Sequence, residues 1–110
     1  MGGREASALL GLPVRIRGIQ LGHPVDLLLD PQADRMLGLE LVCGDGARRF
    51  LPFAVAQIRS DEIEVASVLA LIDESELGYY RENSRRLSDL SLAEPWIDDD
   101  GSVHEARTAA

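Results

Sequence analysis

The side chains in this chain suited to metal binding or acid-base work are two histidines, one cysteine and two groups of aspartates. His23 and His104 have 80 residues between them, and neither has a cysteine or second histidine at the short spacing that a zinc site needs. The run Trp96-Ile97-Asp98-Asp99-Asp100-Gly101 carries half of a calcium loop. Its first ligand position is Trp96 and its twelfth is Arg107, where such a loop requires a bidentate glutamate. Asp26, Asp30 and Asp34 gather near one hairpin, and turn formation accounts for the last two. All eleven basic residues are arginine, which removes a phosphate-loop lysine, a Schiff-base lysine and a lysine general base together. No Gly-x-Ser-x-Gly or Gly-x-Gly-x-x-Gly run is present. These residues predict a protein without catalysis, cofactor or metal.

Charge is distributed unevenly. Of the net −8, residues 1–11 contribute nothing, residues 12–72 contribute −2 from six arginines and eight acids, and residues 73–110 contribute −6 from four arginines and ten acids. Such a chain repels a phosphate backbone at long range, so direct nucleic-acid binding is not expected. Cys43 is the single cysteine and cannot form an intramolecular disulfide. By alternation with Leu37, Leu39 and Leu41 it reads as a core thiol. The start MGGREASALLGLPVRI lacks the basic region and sustained apolar run of a signal peptide, and no stretch reaches transmembrane length. A cytoplasmic protein is therefore expected. The bias toward Ala, Gly, Arg, Leu and Asp suits a GC-rich bacterial genome.

Positioning elements follow from periodicity. Residues 1–11 read as a frayed N-terminal segment. Leu12, Val14 and Ile16 alternate with polar or proline positions and predict a first strand. Gly22 to Asp30 predicts a second, with Val25, Leu27 and Leu29 inward and Asp26, Leu28 and Asp30 outward. Leu28 is apolar on the polar face, so something is expected to cover it. Met36 to Cys43 gives a third strand, ended by Gly44-Asp45-Gly46, and Ala47 to Phe53 a fourth. Phe50-Leu51-Pro52-Phe53 breaks alternation, as either a bulge or a strand buried on both faces would. Ile63 and Val65 start a fifth strand, and Ala66 to Ile72 supplies a sixth or extends the fifth.

Beyond Ile72 the period becomes helical, with Asp73 and Glu76 spaced as a capping box and a helix expected over 73–90. Leu77, Tyr80, Ser84 and Leu87 form one stripe, read as facing the strands. Tyr79, Asn83, Arg86 and Leu90 form a second, whose residue types are common where proteins meet. Residues 91–110 read as an acidic, extended tail. Trp96-Ile97 within it either docks on its own barrel or anchors a peptide that engages another chain.

In this order the motifs resemble the PRC-barrel family: Leu12-Pro13-Val14, Leu21-Gly22 before Val25-Asp26-Leu27, apolar Leu39 to Val42, Phe50-Leu51-Pro52 leading to Val55, and Ile63 to Val65. The resemblance covers residues 10–72 and implies a small twisted β-barrel, like that of the photosynthetic reaction-centre H subunit and of the ribosome maturation factor. It implies an adaptor role and no catalytic residues. Without the H subunit's transmembrane helix or the maturation factor's preceding domain, the chain reads as a stand-alone member.

The expectation is thus a mainly β protein: a PRC-type antiparallel barrel of about six strands over 12–72, one C-terminal α-helix and an acidic tail. Its expected work is non-catalytic interaction with a protein partner or a second copy of itself. The contact residues are expected to be Tyr79, Arg86, Leu90 and Trp96, with Leu28 as a covered patch. An accessory role in ribosome assembly or RNA processing is the first alternative, and a barrel with a ligand cavity is the second.

Overall fold

A computed structural model describes residues 3–32, 34–89 and 95–104. In chain order it contains β1 (Arg4–Glu5), α1 (Ala6–Leu10), β2 (Val14–Ile16), β3 (Ile19–Leu29), β4 (Met36–Cys43) and β5 (Arg48–Pro52). A 3-10 turn at Phe53–Val55 leads to β6 (Ala56–Ile58) and β7 (Ile63–Val65). After a second 3-10 turn at Val68–Ala70 come α2 (Glu74–Glu82), β8 (Arg85–Arg86), a third 3-10 turn at Leu87–Asp89, β9 (Trp96–Ile97) and β10 (Val103–His104).

The fold is mainly β, and its larger sheet curls into a half-barrel with the order β5-β4-β3-β2-β7-β6, to which β8 adds by pairing with β3. A second sheet has the order β1-β9-β10. This differs from a barrel of about six antiparallel strands in three respects. The large sheet stays open between β5 and β6, β2 and β7 run parallel, and residues 96–104 form a hairpin. The predicted sixth strand over 66–72 is instead the 3-10 turn, with only Ile72 bridging Phe50.

Two irregularities curl β3 and β4. Pro24 pairs with Leu41 and Asp26 with Glu40, so Val25 is an extra residue on β3; Leu28 pairs with Gly38 and Leu29 with Met36, so Leu37 is an extra residue on β4. An extra residue bends its strand and increases its twist. It also resets alternation, which is why Leu37, predicted inward, is 37% exposed while Met36 is buried. Beyond these bulges Leu27, Leu29, Leu39, Leu41 and Leu51 fill the concave side of the sheet. Ile63, Val65 and Cys43 join them.

Both chain ends contribute to that core. Residues 1–11 were expected to fray, yet Ala6 and Leu9, three apart and so on one face of α1, are fully buried in it. Ile97 is buried there too, within the expected tail. It is held by β1 on one side and β10 on the other, and Met36 N–H donates to the Gly101 carbonyl. Leu51 joins this core while Phe50 lies in a second cluster on the convex face, so β5 is buried on both faces with no bulge against β4.

The helix starts where the Asp73 spacing places it, but the capping box does not form: Asp73 makes no side-chain cap bond, and its backbone carbonyl accepts from Glu76 N–H. It ends at Asn83 rather than at residue 90, since Asn83 N–H and Nδ2 both donate to the Tyr79 carbonyl and Arg85–Arg86 then extend to pair with β3. Leu90 lies outside the described residues. No helix among the described residues is long and apolar enough to cross a membrane.

At the β2–β3 turn, Arg17 (φ 51°) and Gly18 (φ 81°) form a two-residue loop between the paired Ile16 and Ile19. Two positive φ values belong to the hairpin turn that favours Asn-Gly, because a side chain beyond Asn or Asp is disfavoured in the left-handed region. Arg17→Asn is expected to stabilise the protein by about 1 kcal/mol, raising Tm by about 4 °C in thermal unfolding. An unchanged or lowered Tm contradicts the strain.

Candidate interaction surface

On the convex face of β3, β4 and β5, Asp26 lies opposite Glu40, Glu40 opposite Phe50, and Leu28 opposite Gly38. Alternation alone assigns this row to solvent, yet Asp26, Glu40, Leu28 and Phe50 are all buried. The covering element is the chain's own segment 72–89. Leu77 of α2 packs on Leu28 and Phe50, and the Tyr80 ring stacks on Phe50 at 4.6 Å between centroids. Gly38 makes this possible, since a Cβ there would fall 2.6 Å from the Phe50 ring.

The two buried acids hold the segment at two points. Arg81 donates to Glu40 through Nε (3.1 Å to Oε1) and Nη2 (2.7 Å to Oε2), a bidentate pair, and Arg48 Nη1 adds a third bond at 2.9 Å. Burial works to raise the Glu40 pKa, but hydrogen bonds from Arg81 and Arg48, with the charge of Arg86 nearby, outweigh it and hold the carboxyl below its usual range. Asp26 accepts from Ser88 twice, from the hydroxyl at 2.6 Å and from N–H at 3.2 Å, and so fixes the start of the Leu87–Asp89 turn.

The structure separates the residues that the sequence groups as contacts. Tyr79 is 66% exposed on α2, its ring edge-on to Tyr80 at 5.4 Å. Tyr79, Tyr80 and Phe50 thus form an aromatic chain running from the surface to the convex cluster. Arg86 does not continue the helical stripe. It sits on β8 in register with Leu28, because the helix has already ended. Leu28 is fully buried beneath α2, so the covered patch is occupied from within the chain. Trp96 lies on the other sheet, paired with Glu5 and His104, and is 39% exposed.

Sequence reasoning missed Glu40, Arg81 and Ser88. The one available signal was Leu28, an apolar residue between Asp26 and Asp30 on the polar face of its strand. Ser84, assigned to the strand-facing stripe, is placed with its hydroxyl buried and without a hydrogen-bond partner among the described residues.

Among the described residues no group of three or more His, Cys, Asp or Glu side chains is arranged to hold a metal ion. Compared with known proteins, the chain matches no family model and no curated protein.

Two outcomes follow for this surface. A carboxyl whose folded pKa is depressed adds stability that is present above its ordinary value and lost as pH falls through the folded value. Glu40→Gln is therefore expected to cost about 2 kcal/mol at pH 7 and to flatten the decline in urea midpoint between about pH 5 and pH 3. A variant whose acid limb parallels the parent's would contradict the clamp. Ser84→Ala removes an unpaired buried hydroxyl and is expected to raise stability by about 1 kcal/mol in the same titration; a loss of that size would mean that the hydroxyl is bonded.

Proposed function

We propose that this chain is a non-catalytic protein-interaction module of the PRC-barrel type, working in the cytoplasm. The observation that carries the reading is Tyr79, a large aromatic side chain two-thirds exposed (66%) and held in place by Tyr80, which itself stacks on buried Phe50. An aromatic that is ordered before binding gives up little side-chain entropy on contact, and tyrosine is enriched among residues that dominate binding energy. Trp96 supplies a second half-exposed aromatic, anchored by strand pairing on both sides. The PRC-barrel assignment rests on the order of β2, β3, β4, β5 and β7 across residues 14–65, which follows the motifs that carry the resemblance.

The buried acids support the same reading, since Glu40 and Asp26 are engaged in holding segment 72–89 against the sheet. The partner is a protein presenting an apolar recess rimmed by polar groups, and a second copy of the chain is tested by the same variants.

Tyr79→Ala, an exposed truncation, is expected to leave stability within about 1 kcal/mol of the parent. Affinity capture from the native host, with the variant in parallel, should show a partner retained by the parent and reduced at least tenfold by Tyr79→Ala. Trp96→Ala tests the second aromatic in the same way. If the captured set is identical for the parent and both variants, and sedimentation at high concentration shows a monomer throughout, the reading fails.

A further inference from the structure

The half-barrel is unclosed at β6, the end strand of the larger sheet, and there it borders a cleft of about 430 Å³. That volume lies within the range of ligand-binding clefts. Most of its exposed lining is polar, and a smaller apolar floor is formed by Ala56 and Ile58, on the same face of β6, with Leu9 of α1, Phe53 and Ile97. Its rim is charged and carries Asp98, Asp99 and Arg4.

The rim carries two acids and one base, and the Arg4 guanidinium donates through Nη1 to the Arg59 carbonyl at 2.8 Å. The Asp98 carboxylate meets His104 Nε2 through Oδ2 at 2.6 Å, and Asp99 accepts Gly3 N–H through Oδ1 at 3.1 Å. In each of these bonds a single carboxylate oxygen is engaged. A strand edge, an apolar floor beneath it and two carboxylates at its mouth come together from three separate stretches of chain, residues 3–9, 53–58 and 97–99.

We propose that this cleft binds an extended peptide segment of a partner protein, paired along β6, with an apolar side chain on the floor and a lysine or arginine at Asp98 and Asp99. β6 is three residues long and paired with β7 on one side, so its open edge offers the backbone N–H and C=O of alternate residues, the mode in which a sheet edge recognises a peptide. Charge complementarity selects the occupant. A nucleic acid meets two carboxylates, and a second copy of this chain carries its own net −8, whereas a basic peptide is attracted. None of the lining residues comes from α2, so this site stands or falls independently of the Tyr79 surface.

The test is fluorescence polarisation of the full chain with two labelled pentapeptides, one alternating lysine and valine and one alternating glutamate and valine. The lysine peptide is expected to bind, with affinity falling as salt rises, and the glutamate peptide to bind at least tenfold more weakly. Asp98→Asn with Asp99→Asn is expected to weaken the lysine peptide at least tenfold. Ala56→Arg, which places a like charge in the cleft away from the rim bonds, serves as the second variant if the first fails to fold. Amide shift changes on titration should fall on residues 56–58 and 97–99. Equal binding of both peptides, indifference to both substitutions, shift changes elsewhere, or displacement by butylamine at the same concentration as the peptide would overturn the proposal.

Discussion

The arrangement depends on the burial of two carboxylates on a face of the sheet that alternation assigns to solvent. Glu40 is 2% exposed and Asp26 7% exposed, and burying a charge in this way is costly unless hydrogen bonds and a counter-ion compensate. Most of the compensation comes from one contiguous stretch of chain, Arg81 from α2 and Ser88 from the turn that follows β8, and Arg48 of the neighbouring strand adds one bond to Glu40. If segment 72–89 were lifted away, Leu28, Phe50 and Leu77 would be exposed, Glu40 would keep only its bond from Arg48, and Asp26 only that from the Leu27 N–H. The segment is therefore a layer of the fold, and its apolar and ionic contacts reinforce each other.

That layer determines what the surface can present. With Leu77 and Tyr80 turned to the sheet, the helical period turns Tyr79 outward, and its ring rests against Tyr80. On the concave side, closure comes from α1 and from Ile97 rather than from further strands of the barrel. The sheet consequently ends at β6 beside a cleft, and the β1-β9-β10 sheet brings Asp98 and Asp99 to its mouth.

Much of the strand framework was legible in the sequence, because period-two alternation and glycine turns are local signals. Met36 to Cys43 was read with the bounds that the structure gives, and Gly46 takes the positive φ (84°) that its hairpin needs. Leu28 signalled a covering element without naming it. The losses have physical causes. The bulges at Val25 and Leu37 reset alternation through cross-strand register, which one strand's own pattern does not contain. The helix ended at Asn83 because pairing of Arg85–Arg86 with β3 overrode a weak helical preference, and this moved Arg86 off the stripe that it shared with Tyr79. Glu40 looked like any outward acid, since its partner Arg81 is 41 residues distant. The cleft was invisible for the same reason: its lining comes from residues 3 to 99 and converges only in three dimensions.

Native-state hydrogen exchange tests most directly whether segment 72–89 is a layer of the fold. Amides of α2 and those of β3 and β4 are expected to open with the same free energy, as one cooperative unit. Protected strands beneath an α2 whose amides exchange at the rate of an independent short helix would contradict it.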